Sequence, residues 1–295
     1  MIPFHKYHGA GNDFILLDDR AGNLHEQFDQ ANIAHWCHRR FGIGADGLML
    51  LRSHPDFDFE MIYYNSDGAP SSMCGNGGRC IVRFAHDLNI ERKEYRFLAV
   101  DGPHRAKLLN NGWVSLEMLD VEDISEPEPG KVFVLDTGSP HYIPFVEDSD
   151  AVNVFSEGRA IRNSAPYAKK GINVSFVSTN GKELKIATYE RGVEDETLAC
   201  GTGVTAAAIA AVRRSGIANG TFHVPVKAKG GDLAVRGTLR DGRYTSLWLE
   251  GGAVRVFGGE LYLKPGGHFN HQELGIDLLS HSCGTISTFL LYPSD

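Results

Sequence analysis

Short apolar runs alternate with glycine-containing turns along most of the chain, a pattern typical of many short β-strands. In several of these runs apolar and polar positions alternate, as expected of strands that bury only one face. The strands that the pattern predicts are Phe14–Leu17, Leu48–Leu51, Phe59–Tyr64, Val132–Leu135, Val174–Val177, Leu184–Tyr189 and Leu247–Glu250. The sequence therefore predicts a fold in which β-sheet predominates.

Helical periodicity is confined to three segments. These predicted helices are Asp29–Phe41, a segment from Gly75 to about Asn89, and a segment from Gly201 to about Ser215. The third is rich in alanine, which favours helix and leaves the helix with slender sides. Because a slender helix fits inside a curved sheet, we expect each half of the chain to wrap strands around one central helix. Each of these central helices would begin directly after a cysteine.

Two segments of nearly the same sequence, Cys74–Gly77 and Cys200–Gly203, lie 126 residues apart. Further matching pairs at an offset of 126 or 127 residues are Tyr63 with Tyr189, Gly11 with Gly138, and Gly44 with Gly171. Several pairs that keep one offset indicate a duplicated half. If a pseudo-two-fold axis relates the halves, the two cysteines can face each other across a cleft.

The acidic, proline-containing stretch 120–130 is the predicted boundary between the halves. We expect a first domain over 1–120 and a second over 130–263, with a strand near 253–263 completing the first domain. Residues 264–295 have no counterpart in the first half and are expected to form a surface extension. The predicted fold class is α/β, of the α+β type. It consists of two pseudo-symmetric domains, each a mixed or antiparallel barrel-like sheet around a central helix.

Composition narrows the classes of function. The formal net charge is −8 and no basic stripe is visible, which argues against a nucleic-acid partner. No run approaches the roughly 18 apolar residues of a membrane helix. The N-terminus has no signal-peptide core, so we expect a cytoplasmic protein whose cysteines stay reduced.

Five cysteines at irregular spacing argue against a disulfide framework and for individual thiols with individual roles. Cys74 and Cys200 precede helix starts, where free N–H groups and the helix dipole favour negative charge. We therefore expect their pKa values to fall below the usual value of about 8.5. The core is the expected place of Cys37 and Cys80. The two arginines of the first central helix, Arg79 and Arg83, are expected at the helix surface or in ion pairs between domains.

The same helix ends can hold a carboxylate, which would place the α-carbon of an amino acid between the two sulfurs. One thiolate would remove the α-proton while the opposite thiol supplies one, so that the centre inverts. The carbanion's charge would spread into the carboxylate beside the helix ends. This chemistry needs no metal and no pyridoxal cofactor.

The motifs of the chain resemble those of the diaminopimelate epimerase family, from Tyr7 to about Leu263. The resembling segments are His8–Phe14, Gly42–Gly47, Asn65–Gly68 with Cys74–Cys80, Gly138–His141, Tyr189–Gly192 and Ala199–Gly203. The resemblance implies a cofactor-independent epimerase with two cysteines. Such an enzyme interconverts L,L- and meso-diaminopimelate on the route to lysine and peptidoglycan, with its site between two pseudo-symmetric domains. We also expect a homodimer.

The resemblance also implies roles for individual residues. Cys74 and Cys200 would be the acid/base pair, and Glu190 would accept a hydrogen bond from the reacting ammonium group. The reacting carboxylate would be bound by Gly75, Asn76, Gly201 and Thr202. The substrate would be read by Asn12, Asn65, Asn173 and Arg191, the last three mostly at its distal end. Supporting positions would be His141, Ser139 and Asp46.

Two positions depart from the pattern of many relatives. Gly47 stands where many relatives carry Gln, and Ser139 stands where many carry Asn. Ser139 still offers a hydroxyl for one hydrogen bond, whereas Gly47 offers only backbone. Both departures fall near the predicted reader of the distal end of the substrate, and neither affects the catalytic pair.

Two alternatives to a diaminopimelate epimerase stay open at this point. A related two-thiol racemase could act on proline or hydroxyproline, although such relatives tend to carry His at the position of Asn76 and have less use for Arg191. A metal-binding module could use Cys74, Cys80 and Cys200, although these residues lack the close Cys-x-x-Cys or His-x-x-x-His spacing of structural zinc sites.

Overall fold

The structure, a computed structural model, describes residues 1–261 and 277–279. The strands are β1 Ile2–Gly9, β2 Asn12–Asp19, β3 Gly47–Arg52, β4 Phe59–Asn65, β5 Tyr95–Ala99, β6 Gly102–Leu108, β7 Val114–Glu117, β8 Ile124–Glu128, β9 Val132–Asp136, β10 Pro140–Pro144, β11 Asn173–Thr179, β12 Leu184–Glu190, β13 Asp195–Thr197, β14 Gly220–Ala228, β15 Gly231–Arg240, β16 Arg243–Gly251, β17 Val254–Leu261 and β18 Asp277–Leu279. The α-helices are α1 Gln30–Cys37, α2 Gly75–Asp87, α3 Val154–Arg162 and α4 Gly201–Arg214. No helix within the described residues is long and apolar enough to cross a membrane.

The two halves repeat one pattern of strand pairing. In the first half β2 pairs parallel with β3, β3 antiparallel with β4, and β4 parallel with β5. In the second half β10 pairs parallel with β11, β11 antiparallel with β12, and β12 parallel with β14. An antiparallel run follows in each half, β5–β6–β7 in the first and β14–β15–β16 in the second. The predicted class of two pseudo-symmetric halves is therefore confirmed.

Each half wraps its sheet around one helix, α2 in the first and α4 in the second. The alanines at 206, 207, 208 and 210 on α4 have no exposed surface and pack in the core of the second half. Their small side chains allow strands to approach the helix on several sides, as the alanine-rich sequence predicts. Around α2, Cys80, Ile81 and Phe84 fill the corresponding core of the first half.

Strand pairs also cross between the halves. β17 follows the second half in the chain but pairs antiparallel with β1, with Ile2 opposite Leu261. β16 of the second half pairs antiparallel with β7 of the first, with Trp248 opposite Glu117. Backbone hydrogen bonds therefore join the two halves at two places.

The sequence pattern did not identify the strands β5, β6, β7, β10, β13, β14 and β15, and three further elements differ from the sequence expectation. α1 ends at Cys37 rather than near Phe41, because His38 turns to an extended conformation. α3 was not predicted. The stretch 120–130 contains strand β8, which pairs with β9 and carries a register shift after Ser125 that accommodates Pro127 at the edge of the sheet. The expected extension over 264–295 lies outside the described residues, apart from β18, which pairs with β17.

Candidate active site

The first turns of α2 and α4 meet end to end. A methyl group on Gly75 would lie 3.4 Å from the Gly201 Cα, and one on Gly201 would lie 3.3 Å from the Gly75 Cα. Both methyl groups would also crowd Leu249 Cδ2, at 3.0 and 2.9 Å. Glycine at both positions therefore lets two helix N-termini, with their free backbone N–H groups, converge on one point. That point is suited to a carboxylate.

Cys74 caps the N-terminus of α2. The backbone N–H of Gly77 donates to its sulfur at 3.3 Å, and the sulfur lies 3.9 Å from Asn12 Oδ1. Asn76 Nδ2 donates to the Ala199 carbonyl at 3.0 Å and to Asn12 Oδ1 at 3.4 Å. A side chain from the first helix therefore reaches the residue that immediately precedes Cys200.

Cys200 occupies the equivalent position before α4. Its sulfur lies 3.4 Å from Thr202 Oγ1, and the same hydroxyl lies 2.9 Å from His141 Nε2. His141 is fully buried, and this burial together with the positive charge of Arg191 lowers its pKa to about 3. The imidazole is therefore neutral near pH 7. It is placed to orient the Thr202 hydroxyl that contacts the sulfur.

The expectation that both thiols have lowered pKa values is wrong for this structure. Burial raises the pKa of Cys200 to about 12, and burial also raises the pKa of Cys74. The predicted donors are present, because the Thr202 hydroxyl and the Gly203 N–H lower the pKa of Cys200 and the Gly77 N–H lowers that of Cys74. Removal of water from a thiolate outweighs them.

Glu190 lies near both thiols. Its negative charge raises the pKa of Cys74 and of Cys200, which places the carboxylate within electrostatic range of both sulfurs. Burial raises the pKa of Glu190 itself, while a hydrogen bond from Thr197 Oγ1 at 2.8 Å favours its ionised form. A carboxylate in this position is suited to bind an ammonium group beside the thiols.

Asp46 fixes the orientation of Asn12. Asn12 Nδ2 donates to Asp46 Oδ2 at 2.6 Å, and Arg39 donates to Asp46 Oδ1 at 2.7 Å. Arg39 also forms an ion pair with Asp13 at 2.7 Å. Since its amide nitrogen is taken by Asp46, Asn12 presents its oxygen to Cys74 and Asn76.

Ser139, Asn173 and Arg191 form a connected group on the second half. Asn173 Nδ2 donates to Ser139 Oγ at 2.8 Å, and the Arg191 backbone N–H donates to Asn173 Oδ1 at 2.8 Å. The Arg191 guanidinium donates to Ser139 Oγ at 3.4 Å and to the Lys170 carbonyl at 3.2 Å. These partners are neutral oxygens, so the group leaves the guanidinium able to bind a carboxylate.

At position 47, where many relatives carry Gln and this chain carries Gly, the Tyr63 ring occupies the space that a side chain would need. A methyl group on Gly47 would lie 2.5 Å from Tyr63 Cε2 and 3.2 Å from its hydroxyl, so the Tyr63 ring fills the space beside Gly47. Asn65 stands opposite Gly47 at the end of β4 and is exposed. Of the residues expected to read the substrate, Asn65 alone lies outside the hydrogen-bonded network just described.

The other cysteines and arginines for which the sequence predicts a location differ in burial. Cys37 and Cys80 are buried core residues, as expected, and Arg83 pairs with Asp87 at 3.0 Å on the outer side of α2. The surface expectation for Arg79 is wrong, because its side chain has no exposed area. Its position four residues after Gly75, on the helix face that meets the second half, is the sequence signal that could have indicated burial.

The described residues contain no group of three or more His, Cys, Asp or Glu side chains suited to a metal ion. What the site brings together is two thiols at abutting helix N-termini, a carboxylate near both, and a guanidinium without a carboxylate partner. Such a constellation can bind a zwitterionic amino acid and exchange a proton at its α-carbon.

Solved structures with the same two-half fold include a PhzF-family phenazine biosynthesis protein from Bacillus anthracis, with a TM-score of 0.70 at 13% identity, covering 89% of this chain and 99% of that one. A probable proline racemase from Agrobacterium radiobacter gives a TM-score of 0.61 at 15% identity, covering 90% and 94%. At these identities the similarity shows the fold.

The relatives found by sequence similarity indicate the family as well as the fold. A diaminopimelate epimerase from Flavobacterium psychrophilum is 46% identical over 87% of this chain and 98% of its own length. One from Chlorobaculum tepidum is 41% identical over 86% and 99%. Fold, site and relatives together define an isomerase of the amino-acid epimerase class. The family model described as diaminopimelate epimerase matches residues 4–121 and 133–256, and the chain belongs to this family.

Proposed function

We propose that the protein interconverts L,L- and meso-2,6-diaminopimelate by proton transfer between two thiols, without a cofactor, in the synthesis of lysine and peptidoglycan precursors. The convergence of two helix N-termini at Gly75 and Gly201, each directly preceded by a cysteine, is the observation that carries the proposal. A single point between two thiols is what inversion of one carbon centre requires.

The reacting end of the substrate would lie at this convergence. Its carboxylate would accept hydrogen bonds from the N–H groups of Gly75, Asn76, Gly201 and Thr202. Its ammonium group would bind Glu190. The ammonium charge also offsets the negative charge of Glu190, which in the free protein raises the pKa of both thiols. Binding of the substrate therefore favours the thiolate that removes the α-proton.

The distal end of the substrate would be read by the amides and the guanidinium. Arg191 and Asn173 come from the second half and Asn65 from the first, whereas Asn12 would read the substrate beside Cys74. A distal carboxylate fits the Arg191 guanidinium, whose present partners are neutral. Ser139 positions Asn173 and Arg191, Asp46 positions Asn12, and His141 orients Thr202.

The decisive experiment is α-proton exchange in deuterated water. The wild-type protein is expected to epimerise L,L-diaminopimelate with incorporation of solvent deuterium, and to leave L-proline unchanged. C74A and C200A should each lose epimerisation by several orders of magnitude while keeping the fold. Exchange with L-proline but not with diaminopimelate would replace the proposal by the racemase alternative, and wild-type rates in either variant would exclude two-thiol chemistry.

We also propose that the enzyme works in the cytoplasm as a homodimer and does not bind nucleic acid. The net charge of −8 supports the last point, since nucleic-acid binding depends on clustered positive charge. Light scattering coupled to size-exclusion chromatography tests the oligomeric state, with a mass of twice 32.3 kDa expected. A monomer at micromolar concentration would contradict the dimer.

A further inference from the structure

Arg79 is a buried charge that the proposed chemistry does not yet use. Its side chain has no exposed area, and none of the ion pairs between described residues includes it. Its Nε is buried without a hydrogen-bond partner among the described residues. A buried charge that lacks a partner of opposite sign is costly, so its presence calls for an anion at or near this place.

Glycines from both halves make room for the Arg79 side chain. A methyl group on Gly9 would lie 3.3 Å from Arg79 Nη2, and one on Gly251 would lie 3.1 Å from Nε. Gly9 ends β1 and Gly251 ends β16, so the guanidinium sits between the two halves, behind the first turn of α2. The chain thus contains a fitted cavity for this cation.

Two hydrogen bonds tie Arg79 to the proposed carboxylate site. Its Nη1 donates to the Gly75 carbonyl at 3.1 Å, and its Nη2 donates to Asn76 Oδ1 at 2.8 Å. Because Asn76 Oδ1 is occupied by Arg79, its Nδ2 must point the other way, to the Ala199 carbonyl. Arg79 therefore fixes the Asn76 amide that joins the Cys74 helix to the approach to Cys200.

The charge of Arg79 acts on the two thiols unequally. Its positive charge lowers the pKa of Cys74, whereas the charges that act most on the pKa of Cys200 are the negative charges of Glu190 and Cys74, which raise it. The other groups that interact with Cys74 are Glu190 on β12, Tyr63 on β4, Cys80 on α2, Asn12 on β2 and Cys200 itself. Among these groups none is a cation, so Arg79 is the positive charge that distinguishes the two sulfurs.

We infer that Arg79 is a positioning residue, whose buried cation makes Cys74 more reactive than Cys200 in the substrate-free protein and whose hydrogen bonds hold Asn76 for the reacting carboxylate. The anion that balances its charge is the Cys74 thiolate or the bound carboxylate. The inference rests on the proposed two-thiol site, and it adds a group that distinguishes the two otherwise symmetric halves.

Alkylation without substrate tests this electrostatic role. The full-length protein is treated with iodoacetamide between pH 6 and 9, and modification of Cys74 and Cys200 is followed by peptide mass spectrometry. Loss of a nearby cation raises a thiol pKa by about one unit, so R79M should slow alkylation of Cys74 about tenfold. Alkylation of Cys200 should change less than twofold. Circular dichroism verifies that the variant is folded.

R83M is the matched control, since it removes the same charge from the same helix, where Arg83 is partly exposed and paired with Asp87. It should leave both alkylation rates within twofold of wild type. A folded R79M with an unchanged Cys74 rate would overturn the inference, and so would an equal loss in R83M.

R79K covers the case in which R79M does not fold. It keeps the charge but loses the planar fork that holds the Gly75 carbonyl and Asn76 together. Alkylation of Cys74 should stay within about threefold of wild type, while kcat with diaminopimelate falls at least tenfold. Wild-type kcat in R79K, or failure of both variants to fold, would overturn the inference. A wild-type protein inactive on diaminopimelate would refute the proposed function instead, since alkylation involves no substrate.

Discussion

Single residues of the site owe their properties to the half of the molecule opposite them as much as to their own motif. The Cys-Gly-x-Gly motif correctly indicates an N–H donor at the Cys74 sulfur, because this donor belongs to the same turn, whereas the Cys200 sulfur contacts the Thr202 hydroxyl. It does not indicate that packing between the halves buries Cys200 and leaves Cys74 only partly exposed. The burial of Arg79 is likewise not indicated by its motif. A charged helical residue is normally exposed, and only the packing between the halves buries this one. The sequence therefore indicated the position of each cysteine before a helix, whereas it did not indicate the raised pKa values of the thiols or the burial of Arg79.

The raised pKa of Cys200 predicts sensitivity to alkaline pH. A thiol with a folded pKa of about 12 and an ordinary value of 9.0 binds its proton more tightly in the native state. Its stabilising contribution is complete below pH 9 and is lost as pH rises toward 12. At pH 10 the loss is on the order of 1 kcal/mol.

Urea unfolding at pH 8 and pH 10 measures this effect in the wild type and in C200A. The free energy of unfolding should fall between the two pH values in both proteins, because buried tyrosines contribute as well. The fall should be smaller in C200A by about 1 kcal/mol. Identical pH dependence in the two proteins would show that Cys200 is not desolvated as the structure has it.

A substitution at Arg191 tests whether the substrate carries a second carboxylate. Arg191→Lys keeps the positive charge but loses the planar fork that matches a second carboxylate. A charge-assisted pair is worth roughly 1.5–3 kcal/mol, so kcat/KM for diaminopimelate should fall by about one to two orders of magnitude. Slow proton exchange of L-lysine, which lacks the second carboxylate, should barely change. Equal losses on both amino acids would place Arg191 at the reacting carboxylate or in the scaffold.

At the scale of elements, the sequence predicts best where one strong local signal marks a boundary. α2 and α4 begin at the predicted glycines, because a cysteine cap followed by glycine defines the first turn. α3 was missed because it is a short helix interrupted by Gly158, and tertiary packing of that glycine against Tyr189 holds it in place. β8 was missed because Pro127 disfavours a strand in any position except an edge.

Gly201→Ala tests the abutment of the two helix ends. The new methyl group would lie 2.9 Å from Leu249 Cδ2 and 3.3 Å from the Gly75 Cα, and must push the two N-termini apart. Because positioning errors of about 1 Å can cost about 100-fold in rate, kcat/KM should fall at least tenfold. The melting temperature should fall by only a few degrees.

Gly252→Ala is the control for this substitution, since a methyl group there has open space around it and the residue follows β16. Its kinetic constants should match those of the wild type. A fully active Gly201→Ala protein would mean that the reaction does not depend on close contact between the helix ends.

At the scale of the whole molecule, the repeat was predictable because a duplicated sequence keeps its offset for as long as its motifs survive. The pairing of β7 with β16 was not, since sequence patterns identify strands but not which neighbour each strand selects across a domain boundary. The two halves are thus parts of one hydrogen-bonded structure, joined by β1–β17 and by β7–β16.

This joining predicts cooperative unfolding of both halves together. Phe97 is fully buried in the first half, and Phe97→Ala should cost about 3–5 kcal/mol. We expect urea unfolding to remain a single transition at a lower midpoint, with amide exchange accelerated in α4 as much as in α2. A separate, earlier transition confined to the first half would contradict the predicted coupling. So would a fragment of residues 1–120 that unfolds cooperatively on its own.

The late position of β17 has a consequence for biosynthesis. One edge of β1 stays unpaired until β17 has been synthesised, because β17 leaves the ribosome only after the entire second half has been translated. At about 5–20 residues per second, the roughly 134 residues from the end of the first half at 120 to the start of β17 at 254 take about 7–27 s. During this interval the nascent first half exposes an unpaired strand edge, a surface that promotes aggregation. The order of the strands therefore predicts that the N-terminal half is most prone to aggregation during its own synthesis, until β17 has paired with β1.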